Sequence, residues 1–161
     1  MVARGELFKI EPGIYSETRR RPRELEVIQA RYPRSVVTLQ SAYYYYDLTD
    51  SIPDKFHLAL ERGGSRIRSD DVVQHAVPAG TLDLGAETRD VHGMCLRIYD
   101  RERLLIETIR MRTKLPYDLY REVIGGFRRI VDELYPAKMY DYLESFPKRD
   151  VIDRVVRSEV F

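Results

Sequence analysis

A run of arginines near the start of the chain has the clearest binding chemistry in the sequence. Residues 17 to 34 contain six arginines against three glutamates, although the whole chain carries a formal net charge of only +1. A local excess of guanidinium groups attracts nucleic-acid phosphates. An ordinary solvated linker is the alternative interpretation of the same run. The predicted phosphate contacts within it are Arg19, Arg20, Arg21 and Arg23.

Four consecutive tyrosines, Tyr43 to Tyr46, are a second candidate. In a helix, four residues at about 100° each pass right round the axis, so their rings cannot all face one core. The inward rings would pack, and the outward hydroxyl groups would form hydrogen bonds with water or backbone. The alternative is that the outward rings form a surface for a partner. The sequence leaves both interpretations open.

Residue spacings typical of catalytic and metal sites are missing from the sequence. It has no glycine loop for phosphate and no serine or cysteine triad spacing. A nuclease would need clustered carboxylates with a lysine on paired strands, and the nearest approach, at Asp54 and at Glu87, lacks this combination. With the single cysteine, Cys95, the scattered histidines do not predict a zinc site. These histidines are His57, His75 and His92. We therefore predict no enzyme, no cofactor and no metal.

The bulk composition predicts a soluble globular protein. Of the 161 residues, 43% are hydrophobic and 33% are charged, which is typical of a chain with a packed core. No stretch approaches the roughly 18 uncharged residues of a membrane helix. The first nine residues lack the apolar segment of a secretory signal. The expectation is a cytoplasmic protein with no membrane partner.

The first half of the chain contains the elements that must position the arginines and tyrosines. Residues 5 to 15 predict a β-hairpin with its turn at Pro12-Gly13. An apolar stripe predicts a helix after the arginine run. Thr38 is the predicted N-cap of the tyrosine helix. The alternation of residues 54 to 61 predicts a half-buried strand.

The second half predicts more sheet and then helices. A strand should end at Pro78, and residues 88 to 99 should form a tight hairpin with His92 near its turn. Asp100 is expected to cap the next helix, in which Glu102 and Arg103 are interpreted as a partly buried ion pair between helix and sheet. A longer helix beginning at Pro116 carries a regular apolar stripe. Its members are Tyr120, Ile124, Phe127, Val131 and Leu134.

Gly125-Gly126 lies inside that longer helix and predicts a kink or a close contact with another helix, because glycine disfavours helix. Two shorter helices are predicted to follow, one from Ala137 and one from Pro147. The predicted fold class is α+β, with a small mixed or antiparallel sheet, packed helices and a helical C-terminal part.

Two sets of residues together resemble the AbiEi family of bacterial antitoxins. Ser41-Ala42, then Leu48-Thr49-Asp50 and Pro53, match a serine-alanine helix followed by a "leucine, threonine, aspartate, x, x, proline" turn and a hydrophobic strand. Later, Glu102, Arg103 and Leu105 match the family signature "glutamate, arginine, threonine, leucine, x, aspartate". Leu104 and Glu107 stand where the family has threonine and aspartate.

The N-terminal hairpin is similar to the wing of the winged helix-turn-helix in this family. The resemblance implies a wing remnant at residues 1–18 and an antitoxin domain at residues 19–161. It adds Arg4 and Lys9 to the predicted nucleic-acid contacts. The helices that precede such a wing do not occur in this sequence. We expect a truncated chain, a start assigned too late, or a member that dispenses with these helices.

The family resemblance implies a function. Such proteins bind inverted repeats in the promoter of their own operon and counteract a nucleotidyltransferase toxin without forming a stable complex with it. The chain would then be the antitoxin and autoregulator of a type IV toxin–antitoxin system that acts in abortive phage infection. Two alternatives stay open: a DNA-binding transcriptional regulator unrelated to a toxin, and a non-catalytic oligomerisation or interaction module. The oligomeric state is not predicted.

Overall fold

A computed structural model describes residues 8–11, 14–16 and 23–161, with side chains from residue 23 onward. At the N-terminus, β1 (Phe8–Glu11) and β2 (Ile14–Ser16) pair antiparallel. The predicted hairpin is therefore confirmed, although its predicted turn lies outside the described residues. Its interpretation as a wing, and the domain boundary after residue 18, stay predictions.

A mixed sheet of five strands forms the centre of the fold. Its strands are β3 (Val36–Val37), β4 (Phe56–Glu61), β5 (Val72–Val77), β6 (Ala86–Val91) and β7 (Met94–Tyr99). They lie in the order β5-β4-β3-β7-β6. The pairs β4–β5 and β3–β7 are parallel, whereas β3–β4 and β6–β7 are antiparallel. The sheet and its helices confirm the α+β fold class.

Helices precede, interrupt and follow the sheet. They are α1 (Glu24–Arg31), α2 (Leu39–Tyr45), α3 (Arg101–Arg110), α4 (Tyr117–Arg129), α5 (Pro136–Leu143) and α6 (Arg149–Glu159). The predicted stripe from Tyr120 to Leu134 was too long for one helix. It divides because α4 ends at Arg129 and a 3-10 turn, Val131–Glu133, follows. The helical C-terminal part is confirmed.

The core lies on both faces of the sheet. Side chains alternate along a strand, so the pairs Val37–Leu58 and Val36–Ala59 face opposite sides. The first pair faces the large core formed with α2 to α6, and the second belongs to a smaller apolar cluster with Tyr99. The prediction of a half-buried β4 was therefore wrong at its centre. Leu58 and Ala59 are both fully buried, because both faces are covered there.

The two predicted helix caps have different outcomes. Asp100 caps α3 as predicted, because its Oδ1 accepts a hydrogen bond of 2.8 Å from the Arg103 N–H. Thr38 occupies the N-cap position of α2, but its buried hydroxyl forms no hydrogen bond with the described residues. Leu39 has a φ of +44°, so the first turn departs from the geometry in which an N-cap hydroxyl accepts an N–H.

A close approach occurs at one glycine of the pair, but its partner is the turn after α2 and not the predicted neighbouring helix. A Cβ atom at Gly126 would lie 2.9 Å from Leu48 Cδ2, which is closer than van der Waals packing permits. The nearest atom to a Cβ at Gly125 would be Arg129 Nη1 at 3.7 Å, an ordinary contact. A Cβ at Gly126 would therefore force the buried Leu48 side chain, in the turn after α2, to shift.

Candidate nucleic-acid interface

The structure places one of the six predicted nucleic-acid contacts. Arg23 is exposed and is the N-cap residue of α1. Only the backbone of Lys9 is described, within β1. The other four predicted contacts lie outside the described residues. They are Arg4, Arg19, Arg20 and Arg21.

Helix α1 is fixed to the sheet by a side chain that sequence analysis did not single out. Gln29 is buried, and its amide donates to the carbonyl of Arg97 at 2.9 Å and accepts from the N–H of Arg97 at 3.0 Å. It therefore satisfies both backbone groups of a β7 residue beside the very short β3, as a further strand residue would. This attachment holds α1, and with it Arg23, beside the start of β7.

Arg23 lines a shallow pocket of about 270 Å³. The pocket lies between the start of α1, the end of α2, the start of β4 and the turn between β6 and β7. Its lining residues are Arg23, Glu24, Leu25, Tyr44, Tyr45, Phe56, His92 and Met94. We call this group the aromatic pocket. It places a guanidinium beside aromatic rings, which is a common combination in surfaces that bind single-stranded nucleic acid.

In the aromatic pocket, the Tyr45 ring contacts two other rings, those of Tyr44 and His92. The Tyr44 and Tyr45 ring centroids lie 5.7 Å apart at 62°, in an edge-on arrangement. The Tyr45 and His92 centroids lie 5.9 Å apart at 47°. Burial raises the pKa of the Tyr45 hydroxyl, and the charge of Arg23 acts in the opposite direction. The pocket thus offers uncharged tyrosine rings close to a cation.

The structure answers the question of which tyrosines pack. Tyr43 is fully buried, and its hydroxyl lies 2.7 Å from Thr108 Oγ1. The Tyr46 hydroxyl donates to the Tyr99 carbonyl at 2.6 Å. These two rings confirm the packing interpretation. Tyr44 and Tyr45 are half-buried and line the aromatic pocket, so they are the pair on which a partner surface would depend.

His92 has the predicted position and an additional contact. It lies in the turn between β6 and β7 with a φ of +52°, as the hairpin prediction required. Sequence analysis did not connect it with the tyrosines. Its ring meets Tyr45 only because α2 and the β6–β7 turn lie side by side, and no local spacing between such distant residues signals that contact.

The interpretation of Glu102 and Arg103 as an ion pair with each other was wrong. Arg103 is fully buried and pairs with Glu107, with Nη2 and Oε1 2.9 Å apart. Glu102 instead lies 3.3 Å from Lys138 Nζ on α5. The reason is helix geometry, because residues four apart share one face whereas adjacent residues diverge.

Arg103 makes further contacts that fix α3 against the rest of the protein. Its guanidinium donates to the carbonyl oxygens of Thr81 and Leu84, in the loop before β6. The group lies 4.2 Å from the Tyr99 ring centroid and 4.7 Å from that of Phe146. A delocalised cation between two aromatic rings is well suited to burial. Arg103 and Glu107 thus form a buried structural ion pair.

Two of the three histidines come together, contrary to the expectation that all three are scattered. The rings of His57 and His75 stack with centroids 5.1 Å apart, and Nδ1 of His57 lies 2.9 Å from Nε2 of His75. They meet because β4 and β5 pair in parallel. Burial lowers the pKa of each to about 4. Within residues 23–161, no three His, Cys, Asp or Glu side chains are grouped to hold a metal ion.

Comparisons with known proteins add no family assignment. No protein-family model matches the chain, and no curated protein matches it. In the part of the chain that the structure describes, no helix has both the length and the apolar character needed to cross a membrane. The resemblance to AbiEi antitoxins therefore stays a prediction from the residues and their order.

Proposed function

We propose that the chain is the antitoxin and transcriptional autoregulator of a bacterial type IV toxin–antitoxin system. One observation carries the proposal: residues of the family motifs take part in the contacts that join separate elements. Ser41 Oγ accepts from the His57 N–H at 2.9 Å, which joins α2 to β4. Thr49 Oγ1 donates to Glu122 at 3.1 Å, which joins the turn to α4. Shared motifs with such roles support a shared fold.

The proposed regulatory function is binding to the promoter of the chain's own operon. The arginines before α1 would contact DNA phosphates, and Arg23 would carry this basic surface to the edge of the aromatic pocket. Phosphate contacts supply affinity and orientation, but base contacts supply sequence specificity. In helix-turn-helix proteins a recognition helix in the major groove reads the inverted repeats. In this proposal the hairpin and the arginines contribute the contacts to the DNA backbone.

The proposed antitoxin function is to counteract a nucleotidyltransferase toxin without a stable complex. The test is co-expression with the open reading frame beside the gene, if that frame encodes a nucleotidyltransferase. We expect the chain to restore the growth of cells that express this toxin. Size-exclusion chromatography of the mixture should give two separate peaks. An unrelated neighbour, or no restored growth at equal expression, would refute the antitoxin proposal.

A DNA-binding regulator without a toxin is the second candidate. The observation that favours it is the exposed Arg23 at the N-cap of α1, because a cation there can contact DNA phosphate whatever the neighbouring gene encodes. A reporter fused to the chain's own promoter separates the two candidates. Repression of the reporter without rescue from the toxin would support only the regulatory function. Rescue without repression would support only the antitoxin function.

A further inference from the structure

A second surface lies at the opposite end of β4 from the aromatic pocket. Phe56, the first residue of β4, lines the aromatic pocket, and Arg62 follows the last residue of the strand. Arg62 lines a separate cleft of about 610 Å³, formed where β4 and β5 end, where α3 ends and where α6 begins. We call it the basic cleft. Its volume is typical of ligand pockets, which span roughly 300–1,000 Å³.

The lining of the basic cleft is strongly cationic. Of the residues that the structure describes, four cations and no carboxylate line it: the cations are Arg62, Arg110, Arg112 and Lys148. Val151 and Ile152 form part of its apolar wall. These four positive charges repel one another, which raises the free energy of the site, and a bound anion would reduce this repulsion.

Neighbouring acids balance only part of this charge. Glu107 lies 2.5 Å from Arg110, but the same carboxylate also pairs with the buried Arg103. One negative charge therefore serves two guanidinium groups. Within residues 23–161, no carboxylate lies within ion-pair distance of Arg62, and the same holds for Lys148.

The backbone holds one of these cations in place and adds positive charge beside another. Arg112 donates from Nη1 to the carbonyl of Ile109 at 2.8 Å, which holds its guanidinium in place. Lys148 is the N-cap residue of α6, with a φ of +60° and no side-chain cap. The start of an 11-residue helix adds a partial positive charge to that of the side chains. The acid of this first turn, Asp150, is exposed and lies 4.0 Å from Arg149.

We propose that the basic cleft binds a phosphorylated ligand of nucleotide size. Arginines would bind the phosphate oxygens in pairs, as the planar guanidinium allows. The apolar wall at Val151 and Ile152 would contact the organic part of the ester. A free nucleotide and the phosphorylated end of a nucleic-acid strand share this chemistry. The site is separate from the aromatic pocket, so it does not depend on the proposed function.

Calorimetric titration of the full chain tests the proposal with three probes: inorganic pyrophosphate, ATP and a short oligonucleotide with a 5′ phosphate. We expect saturable binding at one site. Arg62→Gln and Lys148→Gln should each weaken it by about tenfold, the loss expected for one charge-assisted hydrogen bond. Arg129→Gln, an exposed arginine of α4 outside the cleft, is the control and should bind like the wild type.

The outcomes separate clearly. No saturable binding of any probe overturns the proposal, and so does equal binding by the cleft variants and the wild type. An equal thermal unfolding midpoint shows that a variant is folded. Among residues 23–161, neither Arg62 nor Lys148 has an ion pair that its replacement would break. With the proposal upheld, the tightest probe identifies the source of the phosphate. Toxin rescue is measured separately, so the proposed function and the basic cleft can fail independently.

Discussion

At the scale of single residues, the buried arginine of α3 connects the most parts of the fold. Arg103 has no solvent exposure and joins Glu107, two loop carbonyls and two aromatic rings. A buried charge is tolerated only when its partners replace water. The stability of the protein should therefore depend strongly on this one side chain.

Arg103→Met should lower the free energy of unfolding by about 3–5 kcal/mol, the range for breaking a buried ion pair. The change removes the hydrogen bonds to the Thr81 and Leu84 carbonyls and leaves Glu107 with Arg110 alone. Arg103→Lys keeps the charge without the planar group, so we expect an intermediate loss. Urea unfolding measures both, with the exposed Arg129→Met as control. A loss below about 1 kcal/mol for Arg103→Met would contradict the assigned role.

The stacked histidines predict a pH-dependent stability. Burial lowers the pKa of His57 and His75 from 6.5 to about 4. Between pH 6.5 and about pH 4, these histidines bind protons in the unfolded chain but not in the folded protein. The free energy of unfolding should therefore fall as pH drops through this window, by up to about 1.4 kcal/mol per pH unit for each histidine.

Urea unfolding from pH 7 to pH 4 measures this slope. Carboxylates also titrate in this pH range. The histidine contribution is therefore the difference in slope between the wild type and the double variant His57→Gln/His75→Gln. The double variant should lose less stability on acidification. His92→Asn, which changes the exposed turn histidine, should keep the wild-type slope. Identical slopes for the wild type and the double variant would rule out neutral buried histidines.

At the scale of elements, the adjacent glycines of α4 provide a matched pair. Alanine is favoured over glycine inside a helix by roughly 1 kcal/mol. At Gly125 the added Cβ has space, so Gly125→Ala should stabilise the protein by about 0.5–1 kcal/mol. At Gly126 the Cβ meets Leu48 at 2.9 Å, and overpacking of this kind costs about 1–3 kcal/mol.

Thermal or urea unfolding of the two alanine variants tests how the turn after α2 packs on α4. Opposite signs are the expected result. Each variant is the control for the other, because the chemical change and the helix are the same. Destabilisation of both by equal amounts would indicate that α4 is constrained at both positions, against the packing described.

Elements that depend on local sequence were predictable. Contacts that depend on which strands and helices become neighbours were not. The Asp100 cap and the hairpin around His92 follow from residue types within a few positions. The glycine pair indicated a close approach, but it did not identify Leu48 as the partner. The aromatic pocket and the stacked histidines depend on which strands become neighbours. Nothing in the spacing of His57 and His75 shows that β4 and β5 pair in parallel. The ion pairs of α3 were predictable in part, since spacing by four residues favours Arg103 with Glu107.

At the scale of the whole molecule, the fold separates two surfaces. One end of β4 borders the aromatic pocket with Arg23, and the other end borders the basic cleft with Arg62. The sheet between them is covered on both faces at its centre, so it acts as a rigid spacer. A strand of six residues spans about 20 Å, so a short ligand at one surface does not reach the other. We expect promoter binding to depend on the Arg23 side, because the arginine run of residues 19–23 directly precedes α1 in the sequence.

The most direct test of that central claim is a fluorescence-anisotropy titration with the promoter DNA of the chain's own operon, repeated over a range of salt concentrations. The quadruple variant with Arg19, Arg20, Arg21 and Arg23 changed to glutamine should bind at least about tenfold more weakly. Its slope of log affinity against log salt should be shallower by roughly 3–4, at about 0.9 for each lost phosphate contact. Arg62→Gln should bind like the wild type. Unchanged affinity and slope in the quadruple variant would contradict the proposed interface.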